Sequence, residues 1–402
     1  MTTLQHERNS ILGVSEMNRF LLLLLSGLVC QASMAAERWA PIVEPYGQLF
    51  PAIILATSTM TLSDEDADPS VLGDPNSYVG VRISAAKAGE VVDVVVRSPN
   101  LMAETRERFV LARAGTEYEL YPTLQWNFER LKRQTQTAPE SLNFEVFSAG
   151  ASLGARTQRV RLRSINDVPF AISDGEEDGE TIDLNWLFAA YVNEDHPIVD
   201  EILRDALETG IVDSFDGYQS GEESRVYEQV YAIWRVLQQR GIRYSSITRT
   251  ANEDPNISSQ HVRLIDQSIK LKQANCVDGT VLFASILRKI DIAPFLVMVP
   301  GHMFLGFYLD EAQEIPTFLE TTLLGSVKPA QSARLQSVGR ALDQNIHQSI
   351  DAEQAWNSFE AAVEGGNSQV EEAGDKFDSD DPDYQFIDIQ AARELGVVPI
   401  SS

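Results

Sequence analysis

From about residue 39 to 170, apolar and polar positions alternate with a period of two in segments rich in β-branched side chains: AIILATS at 52–58, VGVRIS at 79–84, EVVDVVVRS at 90–98, NFEVFSA at 143–149 and RVRLRS at 159–164. The alternation predicts strands with one face in a core, and the intervening Asp-Pro-Ser, Gly-Asp-Pro-Asn and Ser-Pro-Asn steps supply turns. Short strands with frequent turns point to an antiparallel β-sandwich of Ig-like form over 38–170. The stretches 101–113 and 126–133 read as helical insertions in it.

After this region the period changes. SDGEEDGE at 173–180 predicts an exposed acidic linker over 171–181. Beyond it His196-Pro197 opens PIVDEILRDAL, which sets Ile198, Ile202, Leu203, Ala206 and Leu207 on one helical face. A second amphipathic helix is expected over 222–240, carrying Val226, Val230, Ile233, Trp234 and Leu237 and ending at Gly241. A third, CVDGTVLFASILRKI, follows Asn275, and strands are expected at 294–299, 303–309 and 317–323. Helices followed by an antiparallel sheet make 182–325 an α+β domain. Residues 326–402 read as a helical C-terminal extension interrupted by an acidic linker at 365–383, before FIDIQAARELGVVPI.

The apolar run FLLLLLSGLVC at 20–30 is too short for a bilayer-spanning helix, which takes roughly 20 residues, and fits the hydrophobic part of a signal peptide. Arg19 precedes it, and Ser33 and Ala35 are the small residues that suit cleavage after Ala35. A start at Met17 leaves Arg19 as the only charge ahead of the run, which makes Met17 the better start. Export to the periplasm or the outside is expected, with 1–35 removed and no membrane span left. Acylation of Cys30 as a lipoprotein is the weaker alternative, because Val29 stands where that processing wants a small residue.

Composition then narrows the chemistry. The 402 residues, 44% hydrophobic and 23% charged, suit a globular chain of two or three domains. Against 59 Asp plus Glu there are 32 Lys plus Arg, and the resulting charge of −27 repels nucleic acid. Removal of 1–35 takes away two bases and two acids and leaves that charge unchanged. Cys30 and Cys276 are the only cysteines, too few for a disulfide framework or a Cys-rich metal site. No HExxH-like pair exists for zinc, and no metal or cofactor is expected. The run from Asp378 to Asp383 falls short of a calcium loop: its sixth position lacks Gly and its twelfth is Ile389.

Signal cleavage leaves Cys276 as the one thiol, and a helix N-terminus beside it favours the thiolate. A nucleophilic thiol needs a base, and His302 stands at the junction of two expected strands. Glu320 interrupts an apolar strand in FLETT and could hold the far side of the imidazole. His196 reads as a helix-start residue, and His261 and His347 as residues of polar helical stretches.

A Cys at a helix start in NCVDGTVLFASILRK, a His in PGHMFLGF and an acid followed by threonines in FLETT resemble the transglutaminase-like cysteine-enzyme superfamily over about 220–325. The resemblance implies a papain-like α+β fold, an exported bacterial protein, and a triad of Cys276 as nucleophile, His302 as general base and acid, and Glu320 as third member. Glu320 departs from the family's usual Asp, and Asp278 is an alternative orienter. An oxyanion needs donors, for which the Cys276 N–H is one candidate, Tyr244 in GIRYSSIT a second and Gln260 a third. Two readings follow. One is a thiol peptidase, amidase or crosslinking acyltransferase working on a protein or peptide through a Cys thioester. The other is a catalytically silent envelope binding or scaffold protein of the same fold, docking partners through its β-sandwich.

Overall fold

The computed structural model describes residues 38–60, 68–74, 76–173, 181–246, 254–325, 352–379 and 381–401. The expected signal peptide, Cys30 and His347 lie outside those residues, as does 174–180 of the acidic linker. The chain is a mixed α+β protein with several sheets. Among the described residues, no helix is long and apolar enough to cross a membrane.

The N-terminal part contains β1 (Trp39–Val43), β2 (Gln48–Leu49), helix α1 (Pro51–Ala56), β3 (Val71–Gly73), β4 (Val79–Ser84), β5 (Glu90–Ser98), β6 (Met102–Leu111), β7 (Glu117–Tyr121), helix α2 (Phe128–Lys132), β8 (Ala138–Ser148) and β9 (Ala151–Leu162). They form one sheet ordered β1-β4-β7-β3 and another ordered β2-β9-β8-β5-β6. Period two explains the core: Val79, Val81 and Ile83 of the first sheet and Val92, Val94 and Val96 of the second belong to one hydrophobic cluster. The pairing is not purely antiparallel, since β3 runs parallel to β7 and β2 parallel to β9.

Two expectations here are corrected. AIILATS is no strand. Its first five residues complete α1, buried along its whole length with Pro51 at its first turn; a fully apolar run carries no period that separates a buried strand from a buried helix. Residues 101–113 are no helical insertion, because they form the edge strand β6, whose Arg106 and Arg108 reach Asp93 on β5. Pairing with β5 overrides the helical propensity of its charged residues. The stretch 126–133 does contain a helix, α2.

The second part begins with a hairpin. β10 (Asp167–Ser173) pairs antiparallel with β11 (Thr181–Asp183), so the two flanks of the acidic segment lie side by side. There follow α3 (Pro197–Glu208), α4 (Glu223–Gln239), β12 (Arg243–Tyr244), β13 (Ile257–His261), α5 (Ile265–Leu271), β14 (Gln273–Ala274), α6 (Cys276–Lys289), β15 (Pro294–Val299), β16 (His302–Tyr308) and β17 (Pro316–Leu319). β13 pairs with β10, which places His261 on a strand and not in the expected helix. The chain closes with α7 (Ala352–Ala373), β18 (Gln385–Asp388) and α8 (Ile389–Glu394).

The tail is more than a helical extension. β18 pairs with β15 and completes a sheet ordered β17-β16-β15-β18. The expected linker 365–383 is also corrected, because α7 runs through Gly365 and Gly366 and a 3-10 turn, Gly374–Asp378, follows. Those glycines weaken an isolated helix but let this one approach β17: a Cβ on Gly366 would sit 2.7 Å from the Phe318 carbonyl carbon. Gly366→Ala is therefore expected to destabilise the protein by about 1–3 kcal/mol, seen as a lower midpoint in chemical unfolding. An unchanged midpoint would contradict this close seating.

Strand alternation sorts the site sheet into two faces. Leu296, Met303, Leu305 and Leu319 join the main core beneath α6, and Phe295, Val297, Phe304 and Phe318 join a second cluster with Val370 of α7, Phe377 and Phe386. The sheet is thus packed on both faces, and the main cluster runs on from Trp39 to Ile400.

Candidate active site

Cys276 is the first residue of α6, and the local sequence fixes that start. Asn275 caps the helix by accepting from the Asp278 N–H at 2.8 Å, and Asp278 returns the bond by accepting from the Asn275 N–H at 2.9 Å. Asp278 is fully buried and also accepts from the Arg263 N–H at 2.7 Å and from Arg263 Nη1 at 2.6 Å. Both carboxylate oxygens are committed to the loop that presents the thiol. Asp278 is therefore not the orienter of His302 but the anchor of the Cys276 turn.

His302 opens β16, and Glu320 directly follows β17. The expected strand at 317–323 ends at Leu319, because the Glu320 side chain caps a 3-10 turn, Thr321–Leu323. His302 Nε2 lies 2.6 Å from Glu320 Oε2, which leaves Nδ1 for a partner on the other side of the ring. The Cys276 side chain lies close enough to His302 to favour the charged form of the imidazole. The imidazole stacks on Phe304, with centroids 5.9 Å apart. Gly279, one turn into α6, permits this convergence, since a Cβ there would lie 2.8 Å from Thr321 Oγ1. Thr280 Oγ1 adds a bond to the Cys276 carbonyl at 2.7 Å.

The electrostatics hold His302 charged. Burial disfavours the imidazolium, but the neighbouring Cys276 thiol, the hydrogen bond to Glu320 and the charges of both outweigh it, raising the pKa from 6.5 to about 10. Burial likewise pushes the Glu320 carboxyl up, yet the bond to His302, the imidazolium charge and two bonds from Thr322 bring it from 4.5 down to about 2. The histidine's contribution to stability is complete below 6.5 and fades as pH rises through about 10. The carboxylate's is complete above 4.5 and fades as pH falls through about 2. Their shared pair is worth most between 4.5 and 6.5.

The structure also places the candidate oxyanion donors. The Cys276 N–H belongs to the first turn of α6 and so has no acceptor within the helix. Tyr244 sits on β12, paired with Ala274 two residues before the thiol. Its hydroxyl is pushed above its usual range by burial and by the charges of Cys276 and Glu320, so it stays a protonated donor beside the site. Gln260 Nε2 donates to the His261 carbonyl at 3.1 Å, an oxygen that the Asn275 amide also approaches at 3.5 Å. His196 caps α3 by accepting from the Ile198 N–H. Among the described residues, no group of three or more His, Cys, Asp or Glu is placed to hold a metal ion.

No family model matches the chain, and no curated protein is similar to it in sequence. The site therefore stands on its own geometry.

Two groups at this site were not expected. Thr322 donates to Glu320 Oε1 from its N–H at 2.9 Å and from its hydroxyl at 2.6 Å, and Gln369 of α7 donates to Oε2 at 2.7 Å. A hydroxyl two residues after an acid is a local signal, visible in Glu320-Thr321-Thr322. Gln369 carries no local signal, because it meets Glu320 only through the packing of α7 on β17.

Proposed function

We propose that this protein is an exported thiol acyl-transfer enzyme of the transglutaminase-like, papain-like kind, with an Ig-like N-terminal sandwich, acting on a carboxamide or peptide carbonyl of a protein or peptide. The observation that carries the reading is the imidazole of His302, held by Glu320 at 2.6 Å and close enough to the Cys276 side chain for that thiol to favour its charged form. Such a constellation is what nucleophilic acyl transfer requires. With the proton on His302, the sulfur attacks the carbonyl carbon, forming a C–S bond. The developing oxyanion is met by the Cys276 N–H, with the Tyr244 hydroxyl as second donor. His302 then gives its proton to the leaving nitrogen, the C–N bond breaks, and a thioester remains. Water, or an amine for crosslinking, loses a proton to His302 and attacks the thioester, returning Cys276 and the acylated product.

A silent scaffold would not need a carboxylate braced by Thr322 and Gln369 against the histidine, so the geometry favours the enzyme over the binding protein. Intact-mass analysis after brief exposure of the folded protein to iodoacetamide at neutral pH tests the reading. One rapid adduct on Cys276 is expected. Labelling that proceeds only after unfolding would remove the nucleophile from the proposal.

A further inference from the structure

The groups that hold the Glu320 carboxylate come from two separate parts of the chain. Oε1 is held locally by Thr322, whereas Oε2 is shared between His302 and Gln369, which is 49 residues away in sequence. The helix that brings Gln369 is seated by its backbone. Ala362, Gly365, Gly366 and Gln369 recur at helical spacing on one face of α7. The Ala362 carbonyl accepts the Glu320 N–H at 2.9 Å. A Cβ on Gly365 would meet Glu320 Cβ at 3.6 Å, and one on Gly366 would meet the backbone of Phe318 and Leu319. The buried positions on this stripe are Ala355, Phe359, Ala362 and Gly366, and half-buried Gln369 is the polar member of an otherwise apolar face.

We infer that Gln369 is a positioning residue of the active site: its amide holds Glu320 Oε2 in line with His302 Nε2, so that the C-terminal helix α7 completes the triad. The inference deepens the proposed function and rests on it for its catalytic meaning. Physically, a carboxylate fixed at one oxygen only can turn about its last bond and share the other oxygen with water. With Thr322 on Oε1 and Gln369 on Oε2, the carboxylate plane is fixed by two contacts independent of the histidine. The imidazole then finds its acceptor already aimed. The titratable groups that face His302 from the packed elements are Cys276 of α6 and Glu320 after β17, with Tyr244 of β12 within reach of both charges. Gln369 is neutral and acts through Glu320 alone.

The test uses the full chain with Gln369→Met, which keeps length and removes the donor, and Gln369→Asn, which keeps the amide but cannot reach. Asn also replaces Met should the latter fail to fold. Each is combined with Glu320→Ala. Either single change at Gln369 is expected to slow iodoacetamide alkylation of Cys276 by about tenfold, the scale of one hydrogen bond to a charged group. In the Glu320→Ala background the same change is expected to do nothing further, because the group it acts through is gone. Effects that multiply would assign Gln369 a general packing role and overturn the inference.

An NMR titration of His302 gives a second readout that needs no activity. Loss of aim lets the midpoint fall from about 10 towards 6.5, whereas loss of a donor to the carboxylate, by itself, would make the acid more basic and raise it. A fall supports the inference; a rise or no change overturns it. Wild-type protein inert to alkylation, with a falling midpoint in the variants, would sink the proposed function and leave the positioning role standing. Reactive wild type with unaltered variants would do the reverse.

Discussion

Replacement of Glu320 by Gln is expected to bring the midpoint at which His302 loses its proton from about 10 down towards 6.5, and to slow thioester formation by about 10²–10⁴. The carboxylate accepts from four donors: His302 Nε2, Gln369 Nε2, the Thr322 N–H and the Thr322 hydroxyl. A carboxamide has one oxygen for all four. If that oxygen stays with Thr322, its NH2 faces two further donors, and His302 must shed or move its Nε2 proton to escape the clash. The imidazolium thereby loses both its hydrogen bond and its counter-charge, and the sign of the shift is downward. An NMR titration of the histidine ring, alongside alkylation rates between pH 5 and pH 10, reads both effects. A midpoint that stays near 10 in the variant would mean that Glu320 does not set the charge of His302.

The larger loss of stability is expected from Asp278→Asn. Arg263 and Asp278 form a buried ion pair at 2.6 Å, their side chains 10% and 0% exposed. Neutralising one member leaves a guanidinium in the core without its counter-charge, which costs about 3–5 kcal/mol. That is a large share of the roughly 5–15 kcal/mol by which proteins usually exceed unfolding. The amide also cannot serve Arg263 and the Asn275 N–H together as the two carboxylate oxygens do. Chemical unfolding measures the effect, and a loss under about 1 kcal/mol would show that the pair is not buried in solution. Measured below the unfolding transition, the same variant should label more slowly at Cys276, because the cap that presents the thiol has loosened.

The residues of the proposed triad could be read from the amino-acid order because each sits where an element begins or ends. Cys276 follows the cap residue Asn275, His302 opens β16, and Glu320 breaks an apolar strand, so short-range pattern and chemistry coincide. The helices α3, α4 and α6 were likewise visible in their 3.6-residue period. Where the pattern misled, long-range packing decided. α1 is buried on every side and so lost its period, and β6 is a charged edge strand whose form depends on β5. The stretch from Gly365 onward has the composition of a linker, and only the close approach to β17 explains why a helix tolerates two adjacent glycines there. Asp278 looked like a candidate orienter from its spacing to the thiol alone. Its true partner, Arg263, lies on a preceding segment that no local rule connects to it.

The order of the chain has a bearing on when the proposed site can be assembled. A ribosome completes Cys276, His302 and Glu320 before it reaches α7 and β18, yet α7 supplies Gln369 and β18 supplies the fourth strand of the site sheet. The final residues also fasten the body of the protein, through the Val398 N–H to Ala56 and the Ile400 N–H to Ala190. An unfinished chain therefore carries its thiol, base and acid without the parts that align them. Chains broken by premature termination, or clipped before α7, are accordingly left with an unaligned site. Alignment of the proposed site thus waits for the C-terminal segment that carries α7 and β18.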